Sequence, residues 1–205
     1  MKKYGILILL MIAVNLCLYH YHQKYKRQTS KYLEILLSES EGNQMLRENL
    51  EISFVYNSTT LDSLLCTDVY DNLINIKNVI NEKTKKILVC RFSELACESC
   101  IQFAIENIKK RSEEVGVDNI IFLCSYMNNK MLMRMIEIYN IEQYKVFNYN
   151  SLAISIDDWR KPYYFILDHN LTISDILIPQ KTSHSLINHY FNSILDKHFK
   201  SSQRQ

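Results

Sequence analysis

Cys97 and Cys100, separated by Glu98 and Ser99, are the residues of this chain whose types and spacing could do chemistry. The pair follows an apolar run from Ile87 to Phe92 and precedes Ile101, Ala104, Ile105 and Ile108, which recur at helical spacing. Both sulfurs are therefore expected on the first turn of a helix, where unpaired backbone N–H groups and the positive end of the helix dipole favour an anion. A thiolate should form there below the ordinary thiol pKa of about 8.5, and the thiolate is the form that attacks disulfides. With two residues between them, the second sulfur can displace the first from a mixed disulfide, which is the second half of an exchange reaction.

Half of a zinc site has the same spacing. A four-ligand site would need a second Cys or His pair, and the chain offers isolated candidates, Cys66, Cys90 and Cys124, with histidines scattered near both ends. His20 and His22 are paired but abut an apolar amino-terminal stretch. No resident metal and no cofactor is expected. The bland alternative is an inert pair packed in a core.

The elements that must position the pair can be read around it. Ile87 to Phe92 suits a short buried strand, and 97–115 a helix capped by Gly116. Residues 119–125, of Ile-Ile-Phe-Leu-Cys type, suit a second strand, 128–139 a helix and 145–148 a short strand. From Trp159 onward, Lys161 and Pro162 turn into a strand ending at Asp168, Leu171 to Ile178 forms its hairpin partner, and 183–199 a final helix. The order is βαβαβ followed by ββα, a mainly parallel sheet closed by an antiparallel hairpin. Upstream, 51–56 alternates like an edge strand, Asn57 to Thr60 turns, and 61–80 reads as one or two short helices.

With 205 residues and 47% hydrophobic content, one medium domain plus an appendage is expected. A net charge of +2 from 24 basic and 22 acidic residues, without a basic stripe interleaved with aromatics, argues against nucleic acid as a partner. Three glycines and two prolines leave most turns to Asn, Ser and Asp, and give each proline a positional job. The amino terminus reads Met1-Lys2-Lys3 and then a nearly unbroken apolar stretch from Tyr4 to Tyr19, the profile of a signal or signal anchor. Its sixteen residues cover roughly 24 Å against about 30 Å of hydrocarbon, and Tyr19 to His22 could extend it as an interfacial belt. No small-x-small motif follows, which favours an uncleaved anchor. Val14-Asn15-Leu16 before Cys17 lacks the small residue that lipoprotein processing requires. Lys24, Lys26, Arg27 and Lys31 outnumber Lys2 and Lys3, so the positive-inside bias opposes export, whereas the basic start before the apolar core favours it. The expected organisation is a transmembrane anchor over 1–22, a helical stalk over 23–49 and a single α/β domain over 50–200.

The segment Phe92-Ser93-Glu94-Leu95-Ala96-Cys97-Glu98-Ser99-Cys100 and the segment Pro162-Tyr163-Tyr164-Phe165-Ile166-Leu167-Asp168 together resemble the thioredoxin-like superfamily. Within it, the chain is most similar to the membrane-anchored thiol-disulfide oxidoreductases of bacterial cell envelopes, including those serving cytochrome c maturation. The resemblance covers roughly residues 50–199. It implies a thioredoxin-like fold, a central mixed sheet flanked by helices, and thiol-disulfide exchange with Cys97 as attacking thiol and Cys100 as resolving thiol. It also implies a cis proline at Pro162 that faces the dithiol, so that Lys161 and Pro162 present backbone to an incoming peptide.

The chain departs from the family pattern at Ala96, where an aromatic is usual, and at Ser99, where a proline is common and whose replacement should leave the helix start less rigid. Arg91 stands six before Cys97, where a buried acid or its substitute is usual. Arg91 would favour the Cys97 thiolate if it approaches the sulfurs, and Glu98 would oppose it, so both are candidate modulators. Otherwise Arg91 points its head outward and Glu98 is a solvated first-turn acid. The implied partners are protein thiols or disulfides of the envelope, a membrane redox partner, and the membrane itself through the amino-terminal helix. The implied location is membrane-anchored with the domain on the periplasmic, extracytoplasmic side. Two alternatives stay open. One is a tethered, non-catalytic thioredoxin-fold interaction module that keeps the dithiol as a structural clip. The other is a metal-handling envelope protein using Cys97, Cys100 and a histidine such as His169.

Overall fold

The computed structural model describes residues 15–16, 18–24, 26–27, 42–80, 86–152 and 154–200, and the chain divides into two compact units, 1–45 and 46–205. In the first unit, the described residues between 15 and 27 are helical. Among the described residues no helix is long and apolar enough to cross a membrane. The core of the expected anchor, residues 4–14, and the expected stalk residues 28–41 lie outside the described residues.

The second unit is organised by one seven-stranded sheet in the order β2-β1-β5-β4-β3-β6-β7. Its strands are β1 (Leu65–Thr67), β2 (Leu73–Asn75), β3 (Lys86–Ser93), β4 (Ile120–Ser125), β5 (Lys145–Asn148), β6 (Tyr163–Asp168) and β7 (Ile173–Leu177). The helices are α1 (42–56, in this unit from residue 46), α2 (Ile76–Val79), α3 (Glu98–Val115), α4 (Asn129–Tyr139) and α5 (His184–Ile194), the last running into a π-helical turn over Leu195–Phe199. β3, β4 and β5 are parallel, while β6 pairs antiparallel with β3 and β7 with β6. The βαβαβ-ββα order expected from the sequence is thus present over residues 86–199.

The run of apolar residues in β3 is buried on both faces, as a central strand requires. Leu88, Cys90 and Phe92 face one core with α3, α4 and α5, whereas Ile87 and Val89 face a second core with Ile52 of α1 and Ile76 of α2. The two crossovers β3-α3-β4 and β4-α4-β5 advance in the same direction across the sheet, and connections of one hand then leave both helices on one face. α3 buries Ile101, Ala104, Ile105, Ile108 and Val115, and ends at Gly116, whose φ of 87° suits a residue without a Cβ. The Tyr164 hydroxyl donates to the Ala104 carbonyl at 2.7 Å and so fixes α3 to β6. At α4, the Asn128 side chain accepts from Met131 N–H at 3.0 Å, and the helix stops at Asn140 in a left-handed conformation.

Upstream of β3 the sequence reading fails twice. Residues 51–56 are helical rather than an edge strand, because Ile52 enters the second core while Asn49 clamps Ile178, accepting its N–H at 2.8 Å. Residues 61–80, expected as one or two short helices, hold one short helix, α2, but the rest of the segment forms the β1–β2 hairpin. The Asp68 carboxylate closes that hairpin by accepting from Tyr70 N–H at 2.8 Å and Asn72 N–H at 2.9 Å. Thr67 of β1 then pairs with Asn148 of β5, which extends the sheet.

Candidate active site

β3 ends at Ser93, and a short loop tied by Ala96 N–H to the Ser93 carbonyl (3.0 Å) delivers Cys97 to the N-cap position of α3. Cys97 has φ −59° and ψ 122°, so the chain enters the helix only after it. The Cys97 sulfur is exposed and lies 3.2 Å from the Ser99 hydroxyl oxygen. That hydroxyl is the main reason the Cys97 pKa is lowered to about 7, followed by the Cys100 thiol and the Cys100 N–H. The sulfur makes no formed capping hydrogen bond, so the first-turn N–H groups act as a lesser contribution rather than as the leading one the sequence suggests.

Cys100, one turn on, is half-buried. Burial pushes its thiol pKa up, and the neighbouring Cys97 pushes it further, while the ammonium groups of Lys181 and Lys161 pull it back. The two sulfurs are therefore unequal. One is accessible and close to half-ionised at neutral pH, and the other is shielded and protonated. Lys181 lies in the loop between β7 and α5, and His184, the first residue of α5, meets Phe103 of α3 with ring centroids 5.5 Å apart. Lys161 precedes β6, where it pairs with Glu48 of α1 at 2.7 Å.

Of the other residues singled out by sequence, Glu98 stands exposed at the first turn of α3, and its charge bears on the phenol of Tyr139, whose pKa burial and then Glu98 raise. Neither Glu98 nor Arg91 is among the groups that set the Cys97 pKa. Arg91 is a correction to both sequence readings of it. Strand alternation turns it to the face opposite α3, where it is buried and donates to Asp157 at 3.1 and 3.2 Å, to the Tyr149 carbonyl at 2.6 Å and to the Asn150 carbonyl at 2.9 Å. Its charge serves that ion pair and not the dithiol.

Pro162 is buried next to Tyr163, which the register sets opposite Arg91, so it sits at the end of the sheet from which the dithiol loop leaves. The expected cis bond is absent, since Lys161–Pro162 is trans. Pro162 enters β6 with the isomer an X–Pro bond ordinarily prefers. Ser99 and Lys181 are the residues that sequence reading did not assign to the site. A hydroxyl two positions after an N-cap cysteine was the available signal for Ser99, whereas Lys181 is brought in by tertiary folding alone.

Cys90 and Cys124 are buried in β3 and β4, and Cys66 in β1, where burial raises its pKa to about 12. They are packed thiols. His169 lies in the exposed β6–β7 turn, next to Asp168, which pairs with Lys86 at the start of β3. That is the opposite end of the sheet from the dithiol, so His169 cannot join Cys97 and Cys100. Among the described residues no group of three or more His, Cys, Asp or Glu side chains is arranged to hold a metal ion.

No family model matches the chain, and no curated protein matches it. Solved structures do. One, provisionally named a protein disulfide isomerase, from Bacteroides thetaiotaomicron, is 11% identical with a TM-score of 0.50, covering 72% of this chain and 96% of the other. Another, provisionally named a thiol:disulfide interchange protein DsbE, from Chlorobium tepidum, is 8% identical with a TM-score of 0.51, covering 68% of this chain and 97% of the other. What these two share with this chain is the fold, a mixed α/β sheet flanked by helices of the thioredoxin-like kind.

Proposed function

We propose that this chain exchanges disulfides with protein clients through Cys97 and Cys100. The observation that carries the reading is the asymmetry of the pair, an exposed sulfur with its pKa lowered to about 7 beside a half-buried one with its pKa raised. In the reducing direction the Cys97 thiolate attacks one sulfur of a client disulfide, forms a mixed disulfide, and expels the other client sulfur as a thiolate that takes up a proton. Cys100 then gives up its proton and attacks the Cys97 sulfur. The Cys97–Cys100 disulfide forms, the second client thiol leaves, and two electrons have passed from the dithiol to the client. The oxidising direction is the reverse sequence.

The apolar amino-terminal stretch supports the further reading that residues 1–22 anchor the chain in the membrane. The basic Met1-Lys2-Lys3 start supports placing the domain on the extracytoplasmic side of the cell envelope. A dithiol there works in an oxidising space and needs a partner to reset it, so a membrane redox protein is part of the proposal.

The test is trapping. In cells, Cys100→Ser should accumulate mixed disulfides through Cys97 that mass spectrometry can identify, and Cys97→Ser should abolish them and the exchange with a model disulfide. Undiminished exchange by Cys97→Ser would overturn the assignment.

A further inference from the structure

The carboxyl ends of β3, β4 and β5 and the turn between β1 and β2 lie side by side at the end of the sheet that carries the dithiol. Ser93 and Ser125 pair at the ends of β3 and β4, and the loops beyond them stay joined. Glu94 N–H donates to the Ser125 carbonyl at 3.0 Å, and Met127 N–H donates to the Glu94 carboxylate at 3.4 Å. Leu95 and Met127 thus stand on adjoining loops, 64% and 81% exposed, and Leu95 is two residues from Cys97. Ala96 between Leu95 and Cys97 packs against the core, so Leu95 is the large apolar side chain that this loop offers beside the sulfur. Tyr126 N–H donates to the Asn148 side chain at 2.9 Å, which ties the same loop to the end of β5. The Asn129 amide donates to the Asp68 carbonyl at 3.0 Å and to the Asp71 carboxylate, which ties the start of α4 to the turn where Tyr70 is 77% exposed.

We propose that Leu95, Met127 and Tyr70 form a docking strip for the client, which is an extended polypeptide segment with apolar side chains on one side of its reacting cysteine. The inference rests on the exchange reading and names the substrate class of that site. A mixed disulfide joins the client to Cys97 through a single S–S bond, so the chain flanking the client cysteine must lie over the surface beside the exposed sulfur. Toward β4 and β5 that surface is apolar. Exposed apolar side chains scattered singly are ordinary, whereas these three follow one line away from the reacting atom. Adjacent strands lie about 4.8 Å apart, so the three steps from β3 to β1 span about 14 Å, the reach of about four extended residues. Leu95 and Met127 therefore meet residues next to the client cysteine, and Tyr70 meets one about four residues further on. Covering these side chains removes apolar surface from water on both partners, which favours an apolar segment over a polar one of the same length.

The test compares peptides on the full-length, reduced chain. Each peptide has one cysteine held as a mixed disulfide with thionitrobenzoate, and attack by Cys97 on the peptide sulfur releases the coloured thiolate. One peptide has leucine beside the cysteine, a second has a further leucine four residues away, and a third has serine at both places. The first should react about tenfold faster than the serine peptide, and the second faster again. Leu95→Ser and Met127→Ser should each bring the leucine-to-serine rate ratio toward one, while Met127→Leu should keep it. Tyr70→Ser should slow only the peptide with the distant leucine. A ratio is read because a loss of fold would slow all the peptides alike. Equal rates for the leucine and serine peptides, or a ratio that Leu95→Ser and Met127→Ser leave in place, overturn the strip and leave the exchange reading standing. No release from any of the peptides overturns both. If the two serine variants turn a dimer into a monomer in sedimentation without changing the ratio, the strip joins copies of this chain and the inference is overturned.

Discussion

The Ser99 hydroxyl oxygen lies 3.2 Å from the Cys97 sulfur, two residues back along the first turn of α3. It can donate to the thiolate but not follow it out to a client, so it stabilises the resting anion more than the sulfur in a mixed disulfide. Ser99 thus does work that backbone N–H groups do only in part here.

Ser99→Ala should therefore raise the Cys97 pKa from about 7 toward the ordinary thiol value. Each unit of that rise removes roughly tenfold of the thiolate at pH 6, partly offset by the greater nucleophilicity of the more basic sulfur, for a net slowing of roughly threefold. Absorbance of the thiolate against pH, or the pH profile of Cys97 alkylation, reads the change. A Cys97 profile identical in Ser99→Ala would show that the hydroxyl contributes nothing.

The Arg91–Asp157 pair carries a separate expectation. Arg91 is buried, and Asp157 is nearly so, with Leu152 N–H and the Tyr163 hydroxyl also donating to it at 2.8 and 2.7 Å. Asp157→Ala leaves a buried guanidinium with backbone carbonyls as its partners, and should cost about 3–5 kcal/mol in denaturant unfolding. Since the pair lies on the face opposite α3, the alkylation profile of Cys97 in the still-folded fraction should not move. A variant of ordinary stability with a shifted Cys97 profile would contradict the assignment of Arg91 to structure.

How much of this was legible follows from which residues speak locally. β3, α3, β4 and α4 were readable because their apolar spacing is strong and their ends carry Gly116, Asn128 and Asn140 as stops or caps. The direction of Arg91 was hidden, because Ile87, Leu88, Val89 and Cys90 are all apolar and a strand buried on both faces shows no alternation to say which side is which. The 51–56 helix and the β1–β2 hairpin were misread because distant partners decide them: Ile178 for Asn49, and Asn148 for Thr67. For the site, the order of the sulfurs was visible from the strand-to-helix junction, while the cations near Cys100 come from loops sixty and eighty residues downstream, beyond any local pattern.

His198 gives the stability of this domain a pH dependence whose sign can be worked out. Its ring is buried in the π-helical turn after α5, with Nε2 2.7 Å from an Asp175 carboxylate oxygen and Nδ1 3.0 Å from the Lys86 ammonium. With Nε2–H donated to Asp175, Nδ1 accepts from Lys86, which is the neutral ring. Burial, and then the Lys86 and Lys197 charges against the pull of Asp175, hold its pKa below the ordinary 6.5. The folded state therefore binds fewer protons than the unfolded state just below pH 6.5, so this contribution is present above that pH and lost as the pH falls beneath it. Asp175 adds a second loss at lower pH. Burial alone would raise its pKa above 3.8, but the hydrogen bonds from Lys197 and His198 outweigh that and hold it lower, so its contribution goes as the pH drops below 3.8. Unfolding free energy should thus fall from pH 7 toward pH 5 with a slope no steeper than about 1.4 kcal/mol per pH unit from His198, the limit for one proton. His198→Gln should flatten that part of the curve, and Lys86→Met should weaken it by removing the cation that opposes ring protonation. A wild-type curve already flat between pH 7 and 5, or one that His198→Gln leaves unchanged, would place the ring in an exposed, unpaired setting instead.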